Sequence, residues 1–304
     1  MQYVRWEIRK MINNKLRHMP TKQPYVLENS YEFEEKEWTK EHVVGRKFVP
    51  KGKFNGEWNL IVRACEKCNG YKSDLENDIS AITMQPDSAG NYAINDRDLI
   101  RESKRKSKRS ISRRTKKAVH ASSEKLNINV PFSHGVNMNF EMFAPPQMDS
   151  ERMFELARLQ LMGFFYMLTY NKNKKRGYYW VGEYFPMLEA IRDDWGNAIH
   201  KWFMNYVEDW EPRLMLVGAD GFFKAAIRRS PTAELWSWAL EWNHNYRLVG
   251  FFGDSEATQL ITKKIPSLDI KRVANLHDGH INMRTHVSLC DKEDIMFEWQ
   301  ENNA

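Results

Sequence analysis

The sequence predicts an α+β fold, and three observations point to it. The first third of the chain reads as strand, loop, strand, helix. After Asp149, two helical stretches precede two hairpin patterns, the order of helices set against an antiparallel sheet. The chain is 304 residues long and 42% apolar, with abundant Trp, Tyr and Phe, which is enough for a real core and for two domains.

The elements follow in order. Trp6–His18 reads as a short amphipathic helix ended by Pro20. Trp38–Val44 is rich in β-formers, a Gly/Pro/Lys loop follows, and Trp58–Val62 is a second strand. From Lys67 to Thr83, Leu75, Ile79 and Ile82 fall on one helical face, and Pro86 with Asp87–Gly90 ends the helix. Asp96–Lys125 is polar and basic, either a helix with a basic face or a tether. Pro131–Pro146 reads as a loop. Asp149 or Ser150 caps a helix, MFELARLQLMGFFYML, that is apolar on nearly every side and therefore buried. A second helical stretch runs from Pro186 to Asp209, broken near Gly196. LMLV and FFKAAI flank Asp220-Gly221, and LWSWALEW and YRLVGFF flank Asn243-His244-Asn245, so each pair predicts a hairpin. The expected organisation is 1–90, a basic connector 91–130, and a C-terminal α+β domain 131–304 for recognition or regulation.

Charge is concentrated. The chain carries +6, yet Arg101–Lys117 holds ten basic residues and one acid, a local +9, which leaves −3 elsewhere. Such a block suits phosphate backbones, with Arg105, Lys108, Arg109, Arg113 and Arg114 as candidate contacts. There are three cysteines, too few for a disulfide framework, which fits a reducing compartment. No apolar run reaches the ~18 residues of a membrane span, and the N-terminus has no apolar h-region. The expectation is a cytoplasmic chain with no membrane partner.

The chemistry concentrates between Lys36 and Ser80. Glu41-His42 is followed by Asn59, Asn69 and Lys72. Hydrolysis of a phosphodiester needs a base for water, a divalent cation on the phosphoryl oxygens, and in-line positioning. His42 titrates near neutrality and can be the base. Glu41 and Asn69 offer hard oxygen ligands for Mg²⁺ or Mn²⁺. A side-chain oxygen of Asn59 can anchor the loop that carries His42. Lys72, near the helix start, can meet phosphate.

These residues resemble the HNH endonucleases, which have a ββα-metal fold. The matching features are Glu41-His42, Asn59-Leu60, Cys65-x-x-Cys68-Asn69 and Lys72, in order, over about a sixth of the chain. The NGYKSD run is also similar to the HNH domain of RNA-guided CRISPR nucleases. The resemblance implies an N-terminal ββα-metal module of the H-N-N variant, with His42 as general base, Asn59 as the Asn that positions it, and Glu41 and Asn69 on one catalytic metal. It also implies DNA as substrate, with RNA a further candidate, and 5′-phosphate and 3′-hydroxyl products. Many members hold a structural Zn²⁺ on two Cys-x-x-Cys pairs. Here Cys65 and Cys68 have no upstream pair and Cys290 is distant, so they read as packing residues.

The other histidines are scattered and read as surface or core residues. Trp236, Trp238 and Trp242 share one strand face, as sheet core or as an aromatic pocket for a flipped base. Tyr178, Tyr179 and Trp180 could add to such a pocket. Family analogy suggests a restriction or phage-defence effector, acting as a homodimer or under a protein partner. The alternatives are a nucleic-acid-binding protein with a catalytically silent HNH fold, and the nuclease subunit of a larger guided complex.

Overall fold

Trp38–His42 (β1) and Ile61–Cys65 (β2) pair antiparallel, with Glu41 opposite Val62 and His42 opposite Ile61. The structure, a computed structural model, describes residues 38–298 except 58, 132–136, 172, 174–176, 179, 181–182 and 277–278. The predicted helix Trp6–His18, and with it Tyr179, His134 and His277, lies outside the described residues. β2 begins three residues later than the sequence suggests. Asn59 and Leu60 serve the loop instead: Leu60 O accepts from Val43 N at 2.8 Å, and Asn59 Nδ2 donates to Val44 O at 2.6 Å.

Glu66–Thr83 (α1) follows directly, with Leu75, Ile79 and Ile82 buried as its periodicity requires. Arg97–Arg109 (α2) takes up half of the basic run, so this part is a helix and not a tether. Asp96 caps it through a 2.8 Å bond from Leu99 N. Glu124–Pro131 (β3) and Asn137–Ala144 (β4) form a hairpin where the sequence reading placed a loop from Pro131. Its register pairs Leu126 with Met142, Ile128 with Phe140 and Val130 with Met138. That period of two was present in the sequence, hidden by its Asn and Gly residues.

Ser150–Leu168 (α3) is the buried helix. The main sheet has five strands: Glu183–Ile191 (β5), Glu211–Gly218 (β6), Phe223–Arg229 (β7), Leu235–Trp242 (β8) and Tyr246–Gly253 (β9), in the order β5-β9-β8-β7-β6, all antiparallel. Both expected hairpins are present. The helix predicted from Pro186 is instead β5 up to Ile191, and Ala198–Tyr206 (α4) begins only after Gly196. Pro186 is tolerated because β5 is an edge strand with a register shift at that point. Ser255–Thr262 (α5) and the hairpin Lys271–Leu276 (β10) with Gly279–Met283 (β11) follow. No helix among the described residues is long and apolar enough to cross a membrane.

The sheet is covered on both faces, which is why β8 and β9 read as nearly continuous apolar runs. On one face Phe203, Val249, Phe251, Ile261 and Met296 form a cluster. Beside it a ladder of charges crosses three strands. Lys224 Nζ lies 2.8 Å from Glu241, which lies 2.8 Å from Arg247, and Arg247 also holds Asp294 at 2.7 Å. Arg247 is fully buried against the Trp195 ring and so ties the C-terminal segment to the sheet.

The other face carries α3 and, beyond it, the β1-β2-α1 unit. Val43, Phe48, Leu60 and Leu75 belong to the same buried cluster as Leu156, Phe164, Trp238 and Trp242. The expected boundary at residue 90 therefore does not separate two cores. Trp238 and Trp242 fill this core completely, and Trp242 packs edge-on against Phe48 at 5.3 Å. They do not line an open aromatic pocket.

The hairpin tips make the junction. Asn243, in the left-handed region at φ 54°, donates to Thr83 Oγ1 at 2.8 Å and to Phe48 O at 3.2 Å. Lys53 bridges Asp96 at 3.0 Å and Asp220 at 3.3 Å. Asn243→Gly keeps the backbone conformation and loses both bonds. Thermal unfolding should show a loss of about 1–3 kcal/mol. Unchanged stability would remove Asn243 from the junction.

Candidate functional site

The site forms where β1 stops and α1 starts. Cys65 caps α1, and its Sγ accepts from Cys68 N at 3.1 Å. This places Asn69 in the first turn, where its Nδ2 donates to Thr39 Oγ1 at 2.8 Å. Thr39 and Glu41 alternate onto one side of β1. The helix thus returns to the strand that carries Glu41 and His42. One turn further on, Lys72 is buried beneath that strand end.

Lys72 makes the densest set of contacts. Its Nζ donates to Glu41 Oε1 at 2.6 Å, Glu76 Oε1 at 2.7 Å and the His42 carbonyl at 2.9 Å. Burial acts to lower its pKa, but the carboxylates of Glu76 and Glu41 outweigh that and hold it above the ordinary lysine value. Burial pushes the Glu41 carboxyl up, against the pull of Lys72. Lys72 is therefore turned inward, away from any surface phosphate, and its charge balances the buried Glu41 and the partly buried Glu76.

Glu76 extends the grip. The same Oε1 accepts from Gly45 N at 2.9 Å. Lys72 and Glu76, four residues apart on one helix face, thus hold the backbone on both sides of the Val43-Val44 pair that follows His42. A side chain at Gly45 would meet the Glu76 carboxylate and displace it from its bonds to Lys72 and Gly45 N. Asn59 completes the clamp from the other side by donating to Val44 O. The anchoring atom is its amide nitrogen and not the side-chain oxygen expected from the sequence.

His42 is half-buried. Burial, with Arg46 and Lys72 nearby, lowers its pKa below the ordinary histidine value. The ring is thus neutral and basic at physiological pH. Its Nε2 is shielded and has no hydrogen-bond partner among the described residues. An unsatisfied buried ring nitrogen costs about 1–3 kcal/mol, and His200 Nε2 and His244 Nε2 share this state.

The donor set suits a hard divalent ion. Glu41 offers a carboxylate, and the bond from Asn69 Nδ2 leaves that amide's Oδ1 as its ligand atom. Lys72 competes for Glu41. Among the described residues, no group of three or more His, Cys, Asp or Glu stands together to hold a metal. Cys65 and Cys68 are both reduced, with Cys65 Sγ donating to Cys68 Sγ at 2.7 Å.

The basic run divides. Arg113 is bound to Asp74 and, through its backbone N–H, to Asp78 at 2.8 Å. Arg114 bridges Glu124 at 2.5 Å and Asp149 at 3.0 Å. Both act as struts of the fold. Arg105 is exposed but paired with Glu102, whereas Lys108 and Arg109 are exposed with no ion-pair partner among the described residues.

Compared with family models, curated proteins and solved structures, the chain gives no match. The site is therefore read from its own geometry. Sequence reasoning missed Glu76, Gly45 and Arg46. Glu76 could have been found, since it lies four residues after Lys72 and an i,i+4 pair of opposite charge shares a helix face. Gly45 and Arg46 carry no such spacing signal.

Proposed function

We propose that the chain is a metal-dependent HNH-type endonuclease that hydrolyses phosphodiester bonds of DNA. One observation carries this reading: His42, with a depressed pKa and an unpartnered Nε2, ends the strand that holds the buried Glu41, and Asn69 reaches back to that same strand. His42, as general base, would take the proton of the attacking water. Asn59, Glu76 and Lys72 hold the backbone around His42 and so fix the direction of its ring. Glu41 and Asn69 would hold Mg²⁺ or Mn²⁺. When bound, that ion neutralises charge on the phosphoryl and leaving oxygens.

A specific contact supports a second reading, a nucleic-acid-binding protein with a silent site. Lys72 Nζ already stands 2.6 Å from Glu41, as a resident cation. One experiment separates the two. Wild type and His42→Ala are incubated with supercoiled plasmid, linear DNA and RNA, in Mg²⁺, Mn²⁺ or EDTA. Metal-dependent cutting by wild type that is lost in His42→Ala supports the nuclease. Binding without cutting by either protein supports the silent site.

A further inference from the structure

The loop that follows His42 runs antiparallel along α2, and two contacts fix its course. Lys53 Nζ binds the Asp96 cap at 3.0 Å, at the start of the helix. The Lys47 carbonyl accepts from Lys106 Nζ, a buried lysine on the inner face of α2. Ten helical positions separate Asp96 from Lys106, a span of roughly 15 Å.

The outward sides of both segments are cationic. On α2, Arg101, Lys104, Arg105, Lys108 and Arg109 are exposed, while Leu99, Glu102, Ser103, Lys106 and Ser107 are buried. On the loop, Arg46, Lys47 and Lys51 are exposed. Lys47, Lys51, Lys104, Lys108 and Arg109 have no ion-pair partner among the described residues. The row also has a direction, because Arg46 follows His42 by only four residues, across a stretch pinned to α1 at the His42 carbonyl and at Gly45 N.

We infer that Arg46, Lys47 and Lys51 together with the outer face of α2 form one track for the backbone of duplex DNA, with His42 at one end. This rests on the nuclease reading above and names the surface that delivers its substrate. The two rows come from separate parts of the sequence and meet only in the fold. A span of ~15 Å matches about four phosphates of one duplex strand, at 3.4 Å each. Among the described residues the track has no aromatic platform: α2 contains no aromatic residue, Phe48 is fully buried, and Phe54 packs against the core. Single-stranded nucleic acid is gripped by stacking as well as charge, so a track of charge alone fits the duplex. The earlier candidates Arg113 and Arg114 lie outside it, tied to acids of the fold.

The test is fluorescence anisotropy of the full chain with a 5′-labelled duplex of about 30 base pairs, across a KCl series in EDTA. Matched single-stranded DNA and RNA are run in parallel. Lys51→Gln/Lys108→Gln is compared with Lys263→Gln/Lys292→Gln, which removes the same charge from exposed positions on the far side of the sheet. The track variant should bind duplex at least tenfold more weakly at moderate salt. Its log–log salt slope should be shallower by about 2, since each lost phosphate contact removes ~0.9. The control variant should match wild type. If the two variants behave alike while wild type binds and cuts DNA, the track is overturned and the nuclease reading stands. If wild type prefers single strands or RNA, the duplex assignment falls. If wild type binds no nucleic acid, both readings fail.

Discussion

His42→Ala should lower metal-dependent cleavage by about 10²–10⁴-fold, the usual contribution of a positioned general base. His42 lies at the end of β1 and is only half-buried, so the variant should keep its thermal unfolding profile. The pH profile gives a second, independent readout. The active form is the neutral ring, so kcat/KM rises as His42 loses its proton. Burial, Arg46 and Lys72 lower its pKa. The rising limb should therefore lie below the ordinary histidine value of about 6.5. Arg46→Gln removes one of these causes and should move the limb to higher pH. A limb that stays in place in Arg46→Gln, or that is still present in His42→Ala, would assign the titration to another group.

Lys72→Met should have the larger effect on stability. The ammonium is buried between Glu41 and Glu76 and also holds the His42 carbonyl. Met preserves most of the volume and removes the charge, leaving the two acids without their cation. Breaking a buried ion pair in this way costs about 3–5 kcal/mol. For a chain of this size that is a fall in Tm on the order of 10 °C. The pH dependence of the loss has a definite sign. Burial already raises the Glu41 carboxyl in the folded state, and removing Lys72 raises it further. The penalty is then absent below the unfolded carboxylate pKa and grows as pH rises through the folded value. Unfolding followed from pH 4 to pH 8 should show wild type and Lys72→Met converging at the acid end. A constant difference would mean that Lys72 contributes packing and not charge balance.

Much of the fold was legible because it rests on local rules. The strand, loop, strand, helix order came from β-formers and from Leu75, Ile79 and Ile82 on one face. Both sheet hairpins came from Asp220-Gly221 and Asn243-His244-Asn245. What failed depended on neighbours. β5 was read as helix because its edge position, which excuses Pro186, is a property of the sheet and not of the segment. Lys72 was read as a phosphate ligand because its place near a helix start is visible in sequence, whereas its burial under β1 is not. The aromatic stripe on β8 was visible, but its function as core depended on α3 and Phe48 arriving from elsewhere.

The hairpin tips of the sheet meet the nuclease-like unit through Asn243, Lys53 and Phe48, and the two share one buried cluster. The N-terminal segment is therefore not portable. A fragment ending near residue 90 would leave Val43, Phe48, Leu60 and Leu75 facing water, and Thr83 and the Phe48 carbonyl without their Asn243 bonds. The β1-β2-α1 unit and the C-terminal sheet thus stand or fall together, as one cooperative piece.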